Sequence, residues 1–428
     1  MKRAIIVGSG AGGATAAKAL QGNFAVTVLE AGKAFQPLAW ELSTLERVKQ
    51  SGLLLDERAI QLLFPTMRIR KTPDMILVNG RGLGGTTTIC TGNALRMDQE
   101  LQALGINLDA EFAEIYQEIL ASTVHQKRWH KHTRHLFAIC QELALNPQPI
   151  PKMGDYAHCI SCGRCVFGCP QGAKWDSRRF LQVALEQGAA LETGCNVERV
   201  VIENGKATGV VVRKGWLRRF YPADLVILAA GGLGTPVILQ NSGIPCEPRL
   251  FVDPVLTVAA VVPNTLQCKE IQMPFVVQRQ HFILSPYFDY LSFFFNKGWR
   301  HPAKDLLGIM IKLADANVGS ISRRAVEKRL TVADRESLGV GVDLCKQIFH
   351  RVGVKAEDIL LGTINAGHPG GMLPLTAAEV ESFHPARLPA NLYVADATLL
   401  PRSLGNPPIL TIIALAKRVS QVCVEVWS

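Results

Sequence analysis

Residues 4–30 read AIIVGSGAGGATAAKALQGNFAVTVLE. The apolar run Ala4–Val7 passes at once into Gly8-Ser9-Gly10-Ala11-Gly12-Gly13, and alanine-rich residues follow as far as Leu20. That order is strand, glycine turn, helix. Gly8 permits the tight bend, Gly10 lets backbone approach a pyrophosphate, and Gly13 allows close packing of the helix, whose free N–H groups and positive dipole end attract phosphates. A second strand, Ala25–Leu29, ends at Glu30, placed to accept hydrogen bonds from ribose hydroxyls. Together these elements predict a dinucleotide-binding βαβ unit in an α/β fold of Rossmann type. The unit alone does not separate FAD from NAD.

With 428 residues, 48% of them hydrophobic, the chain can bury a large core and is expected to form two interleaved domains. Its longest apolar stretches, Val255–Val262 and Ile409–Ala416, fall well short of the roughly 18 residues of a membrane span. Met1-Lys2-Arg3 runs directly into the first strand, leaving no room for a cleavable signal peptide, and the eleven cysteines suit a reducing interior. A cytoplasmic location is expected. The net charge of +10 is concentrated in Lys127–His135, read either as a solvated helix face or as a docking site for an acidic electron carrier. No nucleic-acid recognition motif accompanies it. The spacing of His125, His130, His132 and His135 does not gather them on one helical face, so they are read as surface residues.

The run CISCGRCVFGCP places Cys159, Cys162, Cys165 and Cys169 within eleven residues and closes with Pro170. This is the iron–sulfur spacing of bacterial ferredoxins. Zinc sites more often split their thiolates into two separated pairs, although zinc and idle thiols remain alternatives. Cys169 either completes a local 4Fe-4S cluster, or a 3Fe-4S cluster forms, or a distant cysteine such as Cys140 or Cys195 joins.

Further along, residues 41–63 read as a polar helical stretch, and GRGLGGTTTICTGN at residues 80–93 is a second glycine loop able to bring backbone donors to phosphate. Asn196–Ile202 and Ala207–Val212 read as a hairpin, and Asp224–Gly232 as a buried strand ending in glycines. Residues 250–300 read as short aromatic-rich strands ending in Phe293-Phe294-Phe295, serving as core or as a substrate or quinone pocket.

Four separated motifs resemble those of the glucose-methanol-choline (GMC) family of FAD-dependent alcohol oxidoreductases. Beyond the first turn, the loop at residues 80–93 is similar to the family's loop over the flavin pyrophosphate, and Gly231–Gly243 resembles its second signature. Gly367-His368-Pro369-Gly370-Gly371 looks like its catalytic-histidine motif, and Asn391–Pro401 with Asn406-Pro407-Pro408 like its closing flavin segment. The element from Cys165 to Ala173 is similar to one in FAD-dependent glucose dehydrogenase catalytic subunits, which carry an iron–sulfur cluster. Three departures stand out: Cys90 in the flavin loop, Gly232 in the signature, and a short region between residues 246 and 360.

The resemblance implies a GMC fold: a Rossmann-type FAD domain, an interleaved antiparallel-sheet substrate domain and a short iron–sulfur insertion. Its segments would be 1–125 and 186–245 for FAD, 126–185 for the basic helix and cysteines, 246–365 for the cap, and 366–428 for the catalytic and closing part. It implies non-covalent FAD held by Gly8, Gly10, Gly13, Glu30, Gly84, Gly85, Thr86, Asn93, Val197, Asp396 and Pro407. His368 would be the base that takes the alcohol proton, and Asn406 would hydrogen-bond the developing alkoxide. Because a flavin accepts two electrons and a cluster one, a dehydrogenase is expected that passes electrons to an external acceptor, an acidic ferredoxin-like protein or a quinone. Two alternatives stand beside it. One is a ferredoxin-linked flavin reductase acting on a carbonyl or alkene of a hydrophobic substrate; the other is a non-catalytic flavoprotein with a zinc clip.

Overall fold

A computed structural model of the chain describes residues 1–37 and 66–428, together with Glu46, Arg47, Lys49 and Phe64. The helical stretch expected over residues 41–63 falls almost wholly outside the described residues.

The opening reading holds in detail. β1 (Lys2–Val7), α1 (Ala11–Ala19) and β2 (Phe24–Glu30) form the βαβ unit. β1 pairs in parallel with β2 on one side and with Leu225–Leu228 on the other. Leu392–Val394 and Ala190–Thr193 extend this parallel sheet at its two ends. Strands covered on both faces need continuous apolar sequence rather than alternation; all four residues of Leu225–Leu228 are buried. The sheet is thus assembled from segments far apart in sequence, as interleaving requires.

Small residues in α1 are dictated by distance. A Cβ on Gly12 would stand 1.6 Å from the Ala395 carbonyl oxygen, and one on Gly13 would stand 2.0 Å from that of Gly8. Gly8 itself has φ +101, a conformation that suits glycine. The strand order reverses at β1, so the carboxyl ends of β1, β2 and Leu225–Leu228 form the crevice where α/β sheets take ligands.

The second sheet is mostly antiparallel. Its order runs Met67–Lys71, Ile76–Gly80, Asn365–Ala366, Val255–Val261, Leu306–Leu313, Phe282–Pro286, Phe275–Gln278 and Gln148–Pro149, with Ile359–Leu361 beside Val255–Val261. It therefore draws strands from well outside residues 246–365. The helix Val332–Val352 packs against this sheet and is started by a capping box of Thr331 and Asp334.

Two sequence readings need amendment. Phe293-Phe294-Phe295 ends a short helix, Tyr290–Phe295, because the Asp289 side chain accepts from the Leu291 and Ser292 N–H groups and turns the chain. The hairpin of Asn196–Glu203 and Lys206–Lys214 gains a third strand, Leu217–Pro222, whose largely exposed, cationic sequence carries no burial signal.

Candidate active site

At the crevice the two glycine loops meet. A Cβ on Gly85 would stand 3.0 Å from the Gly10 Cα. Ser9 joins them: its N–H and hydroxyl donate to Glu30 Oε2 at 3.0 and 2.7 Å, and its Oγ accepts from the Gly84 N–H at 3.2 Å. Glu30 Oε1 accepts from the Gly32 N–H at 2.8 Å. A carboxylate has about four acceptor positions, so Glu30 organises the turn and retains capacity for ribose hydroxyls. On the far side Asp396 Oδ2 accepts from Gly231 N at 2.8 Å and Thr235 Oγ1 at 2.5 Å, closing the last segment over the second signature. Burial holds the Asp396 carboxyl above its ordinary value. Val197 packs its side chain into the core, paired with Val212. The first turn of α1 leaves N–H groups without intrahelical acceptors, and Gly85, at φ +51, brings its loop close to Gly10. The donor set and the glycine cradle suit a dinucleotide.

Beside this groove lies a cavity of about 160 Å³. Thr86, Asn93, Pro407 and His368 line it together with Cys90 and Lys312, among a wall made chiefly of apolar side chains. His368 is fixed by pairing of its motif with residues 251–253: its N–H donates to the Val252 carbonyl at 3.3 Å, and Phe251 and Gly370 exchange backbone hydrogen bonds. The same pairing delivers Asp253, in a left-handed conformation with φ +52, to the imidazole. Asp253 Oδ2 stands 3.4 Å from His368 Nδ1 and 2.6 Å from Lys312 Nζ. Ser403 Oγ donates to Oδ1, and the Asp253 N–H donates to Asp315 at 2.8 Å. Nδ1 is buried, whereas the imidazole side chain keeps 23% exposure, so its Nε2 edge faces the cavity.

Burial, and then the Lys312 charge, hold the His368 imidazole below its ordinary pKa against the opposing pull of Asp253. Burial alone would raise the Asp253 carboxyl, but Lys312 and His368 outweigh it and keep the group low. Asn406 is buried but does not line the cavity. Its amide is paired with Gln278 in both directions, at 3.1 and 3.3 Å. Asn93 accepts from the buried Lys152 ammonium, which burial drives down to about 7.

Cys159, Cys162, Cys165 and Cys169 line a second, smaller cavity with Tyr156 and Lys174. Among the described residues, however, no three His, Cys, Asp or Glu side chains converge closely enough to hold a metal ion. Burial pushes the Cys165 thiol up to about 12, so without a compensating cation it stays protonated. Four soft sulfur donors around one space still match iron–sulfur chemistry.

His125 corrects the reading of the histidines as surface residues. It is fully buried, its Nε2 bonded to the Ile150 carbonyl at 2.8 Å and its Nδ1 accepting from Trp129 at 3.1 Å. The i,i+4 spacing of His125 and Trp129 was the available signal. Sequence reasoning also missed Asp253, Lys312, Gln278 and Lys174. Their partners lie 9 to 150 residues away, and only Lys174, next to the cysteine run, had a neighbour that could have drawn attention to it. No helix among the described residues is long and apolar enough to cross a membrane.

A family model described as GMC oxidoreductase matches residues 3–255, more than half of the chain. An uncharacterised protein of Methanocaldococcus jannaschii is 28% identical over 421 residues, spanning 96% of this chain and 97% of its own length. A long-chain-alcohol oxidase of Arabidopsis thaliana is 26% identical over 291 residues, or 61% of this chain and 37% of its own. The crystal structure of pyridoxine 4-oxidase from Mesorbium loti shares the fold with a TM-score of 0.74, covering 98% of this chain and 99% of that one at 15% identity.

Proposed function

The chain belongs to the GMC oxidoreductase family of FAD-dependent enzymes acting on CH–OH donors, and from that premise we propose that it is a dehydrogenase of a hydrophobic alcohol. His368 carries the proposal. Its free imidazole edge borders a cavity that also touches the loop residues Thr86 and Asn93 and is walled by Phe64, Phe167, Leu291 and Phe294. Such walls favour a hydrocarbon chain over a sugar, whose hydroxyls would lose hydrogen bonds on entry. The long-chain-alcohol oxidase relative points the same way.

Gly8, Gly10, Gly13, Glu30, Gly84, Gly85, Thr86, Asn93, Val197, Asp396 and Pro407 would hold FAD. When bound, FAD supplies the acceptor for the carbinol hydride, and a cluster on Cys159, Cys162, Cys165 and Cys169 would supply a one-electron relay to an outside acceptor. His368 removes the hydroxyl proton at Nε2. The apolar walls exclude water and hold the alcohol close to the groove. Asn406 contacts the alcohol oxygen only when its amide leaves Gln278, which makes its alkoxide role conditional on a side-chain rearrangement.

Anaerobic addition of 1-octanol to the FAD-loaded protein is expected to bleach the flavin absorbance, with glucose much less effective. Bleaching by glucose alone would overturn the substrate class. Reoxidation of dithionite-reduced protein by an aldehyde or an alkene, with no bleaching by any alcohol, would favour the reductase reading instead.

A further inference from the structure

Three side chains at the inner end of the cavity meet at one oxygen atom. Asp253 Oδ2 lies between Lys312 Nζ at 2.6 Å and His368 Nδ1 at 3.4 Å. The Asp253 and Lys312 side chains are each 1% exposed, so neither partner is available to water. The other oxygen, Oδ1, is taken by the Ser403 hydroxyl. Lys312 lines the cavity as His368 does, and among the described residues its ammonium has no hydrogen-bond partner beyond the ion pair with Asp253.

We propose that Asp253 and Lys312 are a positioning pair for His368: Asp253 is the acceptor that holds the hydrogen on Nδ1 and aims Nε2 at the alcohol, while Lys312 keeps Asp253 anionic and Nε2 unprotonated. This rests on the assignment of His368 as the base. A buried ion pair contributes little net stability compared with apolar residues of the same volume, so its position against a reactive ring needs another explanation. An imidazole accepts a proton at one nitrogen only when the other carries its hydrogen, and the acceptor at that second nitrogen sets the tautomer. A carboxylate alone would also raise the proton affinity of the ring and leave it protonated before the alcohol arrives. The ammonium on the same carboxylate opposes that effect. The two charges therefore act on His368 in opposite senses, one orienting it and the other keeping it a free base.

The remaining groups do not reproduce this. Tyr287 and Tyr290 line the cavity, but burial pushes both phenols up and keeps them neutral, Cys90 is not among the partners of His368 or Asp253, and Asp315 with Lys328, paired at 2.7 Å, lies behind Asp253. The strand register explains how the pair arises. Lys312 sits opposite Val255, two residues after Asp253, with Pro254 between them.

The test is a titration of the His368 ring by nitrogen NMR in the FAD-loaded protein with labelled histidine, the signal being assigned by its loss in His368→Gln. Lys312→Met is expected to move the midpoint up, and Asp253→Asn to move it down, each by about one pH unit or more. Lys312→Arg should keep it near the wild-type value, and Asp253→Glu should recover part of the shift. Equal midpoints in wild type and Lys312→Met, or shifts of the same sign in Lys312→Met and Asp253→Asn, would overturn the pair. Should Asp253→Asn fail to fold, Lys312→Met against Lys312→Arg decides the matter alone. The titration needs no substrate, so failure of every alcohol to bleach the flavin would reject the function and leave this result standing.

Discussion

Lys174 donates to the Thr88 carbonyl oxygen at 2.7 Å, across a separation of 86 residues. The same ammonium donates to the carbonyls of Cys90 at 2.8 Å and Cys165 at 3.1 Å. A single buried cation therefore clamps the cysteine run onto the loop that resembles the flavin-pyrophosphate loop. Lys174→Met leaves these carbonyls without their donor, and each hydrogen bond to a charged group is worth about 1.5–3 kcal/mol. Thermal unfolding should shift down by several degrees, with a lower FAD content in the purified protein.

Glu30 joins Ser9 to Gly32 and, in the proposed complex, the ribose as well. Glu30→Ala removes the acceptor of three hydrogen bonds, two of them to backbone N–H groups at the heart of the turn. At about 1.5 kcal/mol or more for each, FAD retention should fall by at least tenfold, measured by flavin release on dilution. Undiminished retention would show that the turn holds without its acid.

The βαβ unit was legible because its evidence is local. A continuous apolar strand, a glycine turn and an acid at the end of the next strand all lie within 30 residues, whereas the 1.6 Å approach of Gly12 to Ala395 is visible only in the fold. The His368 motif was legible as a pattern, but its partners were not. Asp253 and Lys312 reach it through the pairing of Phe251 with Gly370 and of Val255 with Lys312, and strand register between distant segments leaves no mark on either segment alone. Gln278 is hidden from Asn406 for the same reason, 128 residues away. The aromatic triplet at Phe293 was misread because three apolar residues fit a strand or a short helix equally well, and the Asp289 cap decides between them.

His368→Gln should keep its FAD, since the ring stands beside the groove rather than in it, but lose about two to four decades of flavin-reduction rate with 1-octanol. Stopped-flow absorbance measures it. Asn406→Ala should lose less. Gln278→Leu, which frees the Asn406 amide, should change the flavin-reduction rate more than the alcohol KM, because the alkoxide develops only in the transition state; an unchanged rate would mean that the pair with Gln278 does not limit Asn406.

His125 gives the fold an acid-sensitive point. Burial first, and then the Lys152 charge, lower its pKa from 6.5 to about 4. The unfolded chain therefore binds a proton at higher pH than the folded one, so stability is full above about pH 6.5 and is lost as pH falls toward 4. At about 1.36 kcal/mol per unit, the loss is about 3 kcal/mol. His125→Gln should flatten that part of a plot of urea midpoint against pH; an unchanged slope would assign the acid sensitivity to other groups.

The cysteine run makes the last prediction, and metal content decides it. Four thiols line one cavity, among the described residues no three of them converge on a single metal ion, and Cys165 is held protonated by burial. Iron and sulfide would compensate the buried thiolates and draw them inward, whereas thiols with only a packing role would stay as they are. Protein purified without oxygen should therefore contain iron and acid-labile sulfide. Cys165→Ser and Cys169→Ser should lose or alter that content while flavin bleaching by 1-octanol persists, and electron delivery to ferricyanide should slow. Zinc in place of iron, or a Cys165→Ser protein that reduces ferricyanide as fast as wild type, would leave the run as a structural clip. Iron without sulfide would exclude a cluster, because the bridging sulfides are what four thiolates set at steps of three and four residues are spaced to surround.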